Sequence, residues 1–216
     1  MISTRDLGEL PDIDTLRRLM QALAVLDAVL QPEWQYRYFS FNSKWSEGEM
    51  MGSMRNGSGD DLFAHFTPAG CFLKGFAHEY DMSPYRERPK RMWPGVLDSV
   101  PEEFAESLVE PAFSMADTTF CIWRLSSEPT WACGEIKFPK GKDPDGSAGL
   151  LRYYDGKPAT YRKHAADYFE AEVPLKFIRA VYAHEPLTEA MVAELNPEIT
   201  LPDLKADLDE IGYPAV

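Results

Sequence analysis

The chain of 216 residues carries 22 Lys and Arg against 35 Asp and Glu, which gives a formal net charge of −13. Because nucleic acid is itself a dense line of negative charge, a chain this acidic binds it only through a segregated basic face, and we expect no nucleic-acid partner. The apolar share of 44% and the aromatic share of 12% exclude a chain that is disordered throughout. We predict a single domain over residues 1–216.

Targeting and metal-binding patterns are missing from the sequence. The first residues lack the basic and apolar stretches of a signal peptide. The longest apolar stretch, Leu23–Leu30, is interrupted by Asp27 and is too short to span a bilayer. Cys71, Cys121 and Cys133 have apolar neighbours and no zinc-ligand spacing, so they are predicted to be free, buried thiols. We expect a cytoplasmic protein with no membrane partner, no metal and no cofactor.

Helical patterns stand at the two ends of the chain. Within residues 12–31, leucines recur at three- and four-residue steps after a capping residue, Asp12 or Asp14. Between residues 158 and 212, several apolar stripes with their own capping residues predict a C-terminal group of helices. Because the sheet-rich part, residues 33–138, lies between them, the predicted fold class is α+β.

Extended segments separated by turn signals in the middle of the chain predict a mainly antiparallel sheet. The strongest turn signal, Asn56–Gly59, precedes a hairpin in which we expect Phe66 to pair with Cys71 and Asp61 with Phe76. The predicted extended segments are Trp34–Phe41 with a bulge at Tyr38 and Phe39, Glu47–Arg55, Asp61–Phe66, Cys71–His78, Thr118–Leu125 and Trp131–Phe138.

Residues 79–98 are predicted to form a long, proline-containing connection, and a short helix capped by Ser99 should follow it. Loops of this length are more often functional than not. Arginines beside aromatic residues are enriched at protein interfaces, and a basic loop on an acidic body also fits an anion-binding lid. The candidate interaction residues are Tyr85, Arg86, Arg88, Lys90, Arg91 and Trp93.

No motif in the sequence fixes a reaction. The stretch Gly52–Gly57 has the glycine spacing of a P-loop, but Ser58 and Gly59 follow it where lysine and a hydroxyl residue are needed. Neither a dinucleotide-binding glycine pattern nor a serine nucleophile elbow is present. His164, on an apolar helical stripe, is expected to be a partly buried histidine with its hydrogen bonds satisfied.

One cluster combines the residue types of acid–base or metal chemistry. In the predicted hairpin, Asp61 is a diagonal neighbour of His78, and Asp60 and Glu79 adjoin them. One carboxylate could act as a base or a metal ligand and the histidine as an acid or a ligand. The alternative is that these four residues form only the polar rim of a hairpin. The sequence also leaves open whether the aromatic residues of Trp34–Trp45 fill a core or line a groove.

Four blocks of the chain resemble a family of bacterial proteins of uncharacterised function: Tyr36–Trp45, Gly52–Gly57, Gly75–Glu79 and Glu210–Pro214. The resemblance extends over most of the chain. It implies a bacterial, cytosolic origin, and it implies no activity and no catalytic residues.

These observations favour three functions. The first is a non-enzymatic interaction or regulatory protein, such as a toxin-neutralising immunity protein, which binds another protein through the Tyr85–Trp93 loop. The second is a small hydrolase or metal-dependent enzyme that uses Asp60, Asp61, His78 and Glu79. The third is a binder of a small anionic ligand through the same basic loop. Whether the protein is an enzyme and whether it forms a homo-oligomer stay open.

Overall fold

The computed structural model describes residues 1–216 and centres on a six-stranded antiparallel sheet in which every strand lies beside the next one in sequence. A long helix precedes the sheet and a group of helices follows it, which confirms the α+β prediction. The strands are β1 Phe39–Ser46, β2 Glu49–Arg55, β3 Asp61–Thr67, β4 Gly70–Phe76, β5 Phe120–Leu125 and β6 Ala132–Cys133. The helices are α1 Ile13–Leu30, α2 Ala105–Val109, α3 Ser147–Leu151, α4 Pro158–Tyr168, α5 Leu175–Tyr182, α6 Glu189–Leu195 and α7 Lys205–Ile211.

The first face of the sheet is fully covered by helices. Helix α1 begins at the cap Asp12, whose side chain accepts a hydrogen bond from the Thr15 amide at 3.0 Å, and its leucines pack against this face. Its Met20 approaches β2 so closely that a Cβ atom added to Gly52 would lie 2.5 Å from the Met20 Cε atom. A larger residue at position 52 would therefore require the flexible end of the Met20 side chain to move. No helix combines the length and the apolar character that crossing a membrane requires.

A buried carboxylate in α1 fixes where β1 begins. Oδ2 of Asp27 accepts hydrogen bonds from the backbone amides of Tyr38 and Phe39, both at 2.8 Å. Oδ1 accepts one from the Tyr161 hydroxyl of α4, also at 2.8 Å. Burial raises the pKa of Asp27 to about 7, although the three hydrogen bonds lower it. One side chain thus joins α1, β1 and α4.

The predicted strand from Trp34 is wrong in its first part. Trp34–Tyr36 is a turn of 3₁₀ helix, and the strand starts only at Phe39, which carries the second of the two amides that Asp27 binds. The irregularity in the β1–β2 ladder lies between Asn42 and Ser46 rather than at Tyr38 and Phe39. Three alternating aromatic residues are too short a pattern to separate a strand from a turn.

The hairpin register is confirmed: Phe66 pairs with Cys71, and Asp61 pairs with Phe76. The caps of the C-terminal helices are confirmed as well. Thr188 accepts a hydrogen bond from the Met191 amide at the start of α6. The last helical segment opens with a reciprocal capping box and ends at Gly212, which has a φ of 72°.

The second face of the sheet is covered in part by a covering segment, residues 77–117, which is mostly irregular and carries a second, smaller hydrophobic core. Ser99 does not cap its helix, because Ser99 has a φ of 66° and the helical residues begin three positions later, at Glu102. Only Ala132 and Cys133 of the predicted last strand pair with β5. A Cβ atom added to Gly134 would lie 1.9 Å from the Gly95 carbonyl oxygen, so the covering segment occupies the space beside this strand.

Candidate functional site

The second face of the sheet is covered over β3, β4 and β5, and it is least covered over β1 and the Arg55 end of β2. Phe104 and Phe113 of the covering segment pack on Phe72 at ring-centroid distances of 5.8 and 6.2 Å. Ser40 of β1 is only half-buried, and Arg55 of β2 is exposed. We call this less covered part of the second face, over β1 and Arg55, the open half.

A groove of about 320 Å³ lies over this open half. Its floor is the buried Met51 and Ser53 of β2 with the half-buried Phe63 of β3. Trp34 stands at one end and Trp45 at the other. The remaining lining residues are Ser40, Phe41, Asn42, Arg55, Ala112 and Glu210.

The two tryptophans are held in place and stay exposed. The Arg55 guanidinium lies 4.6 Å from the centroid of the Trp34 ring, and the exposed fraction of Trp34 is 51%. The indole nitrogen of Trp45 donates a hydrogen bond to Glu110 at 3.2 Å, and the exposed fraction of Trp45 is 39%. Single exposed apolar side chains are common on protein surfaces, but two exposed indoles that line one groove belong to a contiguous surface, and contiguous apolar patches mark interaction sites.

These positions answer the question that the sequence left open about the aromatic segment. Trp34, Tyr36 and Trp45 are exposed, whereas Phe39 and Phe41 belong to the main core. The segment supplies both a core and a groove because its first residues form a 3₁₀ turn, which turns their rings outward.

Two carboxylates lie at the groove. Glu110 holds the Trp45 indole, and Glu210 lines the opposite wall. Neither carboxylate has a Lys, Arg or His nitrogen within 4.0 Å. Arg55 is the cation of the groove, and partial burial lowers its pKa while the Asp61 charge raises it. Aromatic walls with unpaired carboxylates at the rim suit a basic side chain from outside.

The four predicted acid–base residues lie at one end of the sheet but do not converge on one point. Asp60 accepts hydrogen bonds from the His78 amide at 2.7 Å and from the Asn56 side chain at 2.8 Å, so it ties the hairpin end together. The His78 ring hydrogen-bonds to Glu79 at 2.6 Å, and that carboxylate is largely exposed. No group of three or more His, Cys, Asp and Glu side chains is close enough to hold a metal ion.

The fourth of these residues, Asp61, forms an ion pair with Lys74, which was not among the predicted site residues. Lys74 of β4 is fully buried, and its Nζ lies 2.6 Å from Asp61 Oδ1. Burial lowers the pKa of Lys74 and raises the pKa of Asp61, and the charge of each partner opposes the shift of the other. The hairpin register made Lys74 a diagonal neighbour of Asp61, so this pair could have been found from the sequence.

The basic loop of the covering segment is largely neutralised within the chain. Its ion pairs are Arg86–Glu79 at 3.8 Å, Lys90–Asp117 at 2.6 Å and Arg91–Glu87 at 3.2 Å. The Trp93 indole donates to the Lys137 carbonyl, and its ring packs against the smaller core. Tyr85 and Arg88 are the exposed residues of the loop without a carboxylate partner. The interaction role of the loop stays a prediction.

Comparison with protein-family models, with curated proteins and with solved structures finds no match for this chain. We therefore infer the function from the side chains of the groove and their contacts.

Proposed function

We propose that this protein is a non-enzymatic interaction module that binds a basic segment of another protein in the Trp34–Trp45 groove. The observation that carries the proposal is the pair of exposed tryptophans at the two ends of the one open area of the sheet. Tryptophan and arginine are the residue types that dominate binding energy at protein interfaces, and Arg55 lies against the Trp34 ring in this groove.

The charge of the chain supports a basic partner. The net charge of −13 attracts a positively charged protein over a distance and speeds its association. At the groove, Glu110 and Glu210 supply carboxylates without ion-pair partners in the chain. An arginine or lysine of the partner between the two indoles would gain both a cation–π contact and an ion pair. A toxin-neutralising protein and a small regulator would both act by such a capture.

The enzymatic alternative has less support. Asp60 and Asp61 already bind groups of the chain itself, and His78 with Glu79 forms an exposed pair that closes no pocket with them. A hydrolase needs its acid, its base and a space for the substrate at one place. The loop alternative for an anionic ligand is weakened by the three ion pairs that occupy the loop cations.

The experiment is an affinity purification of the tagged chain from the organism that produces it, followed by mass spectrometry. The test variant is Trp34→Ala with Trp45→Ala. The matched control is Tyr85→Ala with Arg88→Gln, because the exposed fraction of Tyr85, 51%, equals that of Trp34. We expect one near-stoichiometric partner to be retained by the wild type and by the control, and to be lost from the groove variant. Because rim charges are screened by salt, capture should also weaken as ionic strength rises.

Two results would contradict the proposal. Retention of the same partner by the groove variant would remove the groove from the interface. Loss of the partner from the control variant alone would assign the interface to the Tyr85–Trp93 loop instead. A third variant, His78→Ala, should capture the partner as the wild type does.

A further inference from the structure

A second cleft lies apart from the groove, between the turn after β2 and helix α4, and has a volume of about 810 Å³. Volumes of roughly 300 to 1,000 Å³ are typical of small-molecule sites. The cleft is lined by Tyr38, Asn56, Ser58, Arg152, Tyr153, Ala159, Thr160, Lys163, His164, Asp167 and Tyr168. Neither Trp34 nor Trp45 belongs to it, so nothing in the proposed function depends on this cleft.

One wall of the cleft is made of aromatic rings. The rings of His164 and Tyr168 are stacked, with centroids 5.5 Å apart and an angle of 14° between their planes. Tyr38 and Tyr153 stand edge-on to His164 at 4.5 and 5.1 Å. The exposed fraction of Tyr168 is 40%, so one aromatic surface of this cluster is available to a ligand. Such a wall suits a planar, apolar ring.

A buried nitrogen in this wall lacks a partner. His164 is only 6% exposed, and its Nε2 atom has no hydrogen-bond partner in the protein. The expectation of a satisfied histidine is therefore wrong. Burial, reinforced by the Arg152 charge, lowers the pKa of His164 to about 4, so the ring is neutral at neutral pH. Buried polar atoms without partners are rare in proteins and call for a structural or functional reason.

The cleft also contains a cation that nothing in the chain neutralises. Arg152 has no carboxylate within 4.0 Å, although the chain carries 35 acidic residues. Its guanidinium lies 4.6 Å from the Tyr153 ring centroid and donates one hydrogen bond, to the Tyr153 hydroxyl. The other cation in the cleft, Lys163, is paired with Asp167 at 2.8 Å. Arg152 therefore has free donors in a planar fork that fits a carboxylate or a phosphate.

We propose that this cleft binds a small aromatic anion. The ring of the ligand lies against Tyr168 and the aromatic cluster of His164, and the anionic group, a carboxylate or a phosphate ester, binds the Arg152 fork. The proposal depends on the shared location of the two features, since the Arg152 guanidinium and the aromatic rings line the same cleft of about 810 Å³.

Titration calorimetry of the full chain tests this proposal with four probes. 4-Hydroxybenzoate and adenosine 5′-monophosphate carry the two anionic groups, and 4-hydroxybenzamide and adenosine are their neutral analogues. We expect at least one anion to bind at millimolar concentration or below, and its neutral analogue to bind about tenfold more weakly or not at all. The anion that binds distinguishes a carboxylate ligand from a phosphate ligand.

Variants assign the binding to the cleft. Arg152→Gln should weaken binding of the anion about tenfold or more. The matched control is Arg162→Gln, which removes the same charge from an exposed arginine outside the cleft and should leave the affinity within about twofold. Tyr168→Leu should weaken the anion and its neutral analogue alike, because it removes the stacking surface that both use.

The proposal is overturned if neither anion binds, if the neutral analogues bind as tightly as the anions, or if Arg152→Gln and Arg162→Gln weaken binding equally. Because Arg152 and Arg162 are both exposed, we expect both variants to fold. Urea unfolding of each variant verifies this before the titration.

Discussion

The two faces of the sheet are built from the same strands and are covered to different extents. On the first face, α1 and the C-terminal helices bury the side chains of all the long strands in one large core. On the second face, the covering segment buries the middle and last strands and Met51 of β2 around a much smaller core, and it leaves β1 and Arg55 of β2 partly exposed. The first face therefore carries most of the stability, and the second face has surface to spare for binding.

The polar groups of the two faces follow the same division. Asp27 on the first side is enclosed and binds only donors from the chain itself. On the second face, Lys74 is enclosed but its partner Asp61 keeps 24% of its side chain exposed. Toward the open half, Glu110 and Glu210 have no ion-pair partner at all. From Asp27 to the Lys74–Asp61 pair and then to the groove, the side chains become less buried and their charges less often paired. Substitutions in this order should therefore change the free energy of unfolding less and the binding of a partner more.

The largest effect on stability is expected for Asp27→Ala. The substitution leaves two backbone amides and the Tyr161 hydroxyl without their acceptor, and we expect a loss of about 4 kcal/mol in the free energy of unfolding. Urea unfolding followed by circular dichroism measures it.

Asp27→Asn is the matched control for this prediction. Its side-chain oxygen can still accept from the two amides, and its nitrogen can donate to the Tyr161 hydroxyl. The variant should stay within about 1 kcal/mol of the wild type. An Asp27→Asn protein as unstable as Asp27→Ala would show that the charge itself, rather than the hydrogen bonds, holds the three elements together.

The buried ion pair of the second face should give the next largest effect. Asp61→Ala leaves the fully buried Lys74 without a partner, and we expect a loss of about 3 kcal/mol. Lys74→Met should lose clearly less, because the remaining Asp61 is partly exposed and can be hydrated. Equal losses of unfolding free energy for the two variants would contradict this prediction, because they would mean that the Asp61 carboxylate is not hydrated when Lys74 is replaced.

A pH dependence of opposite sign is expected for His164 and Asp27. The pKa of His164 is about 4 in the folded chain and 6.5 ordinarily, so the unfolded chain binds protons more readily and stability falls on acidification. Between pH 6.5 and 5, the free energy of unfolding of His164→Gln should fall by about 2 kcal/mol less than that of the wild type.

The pKa of Asp27 is about 7 in the folded chain against 3.8 ordinarily, so its contribution to stability falls as the pH rises from 3.8 to 7. Asp27→Asn should therefore gain stability relative to the wild type from pH 4 to pH 7, and unfolding curves across this range test both signs.

Local patterns predicted most of the fold. The leucine stripe of α1, the Asn56–Gly59 turn and the hairpin register each depend on neighbouring residues, and the structure confirms them. The start of β1 depends instead on Asp27, which reaches Tyr38 across a helix–strand contact that no local pattern contains. The same is true of the end of the last strand, which depends on the backbone at Gly95.

The sequence predicted only part of the candidate binding surfaces. The aromatic residues of Trp34–Trp45 stood out, but whether they are exposed depends on which part of the second face the covering segment reaches. The cations of the Tyr85–Trp93 loop looked free because their partners, such as Asp117, are distant in sequence. The cleft at Arg152 brings together Tyr38 just before β1, the β2–β3 turn, the segment after α3 and helix α4, so only the folded chain shows it.

The smallest effect on stability is expected where binding should change most. Trp34→Ala and Trp45→Ala remove exposed rings, so each should change the free energy of unfolding by only about 0.5 kcal/mol. Their effect on partner capture should be far larger, since an interface tryptophan contributes about 2 kcal/mol or more to binding. Thermal unfolding of both variants beside the wild type provides the comparison, and a loss of several kcal/mol would place these rings in the core instead.

Hydroxyl-radical footprinting of the chain, alone and in complex with the captured partner, tests the central claim most directly. Mass spectrometry reports the oxidation of each aromatic side chain, and the two tryptophans and Tyr85 are all exposed in the free chain. If the partner binds in the groove, it should protect Trp34 and Trp45 from oxidation and leave Tyr85 as reactive as in the free chain. Protection of Tyr85 with unchanged oxidation of both tryptophans would contradict it, and would assign the interface to the covering segment.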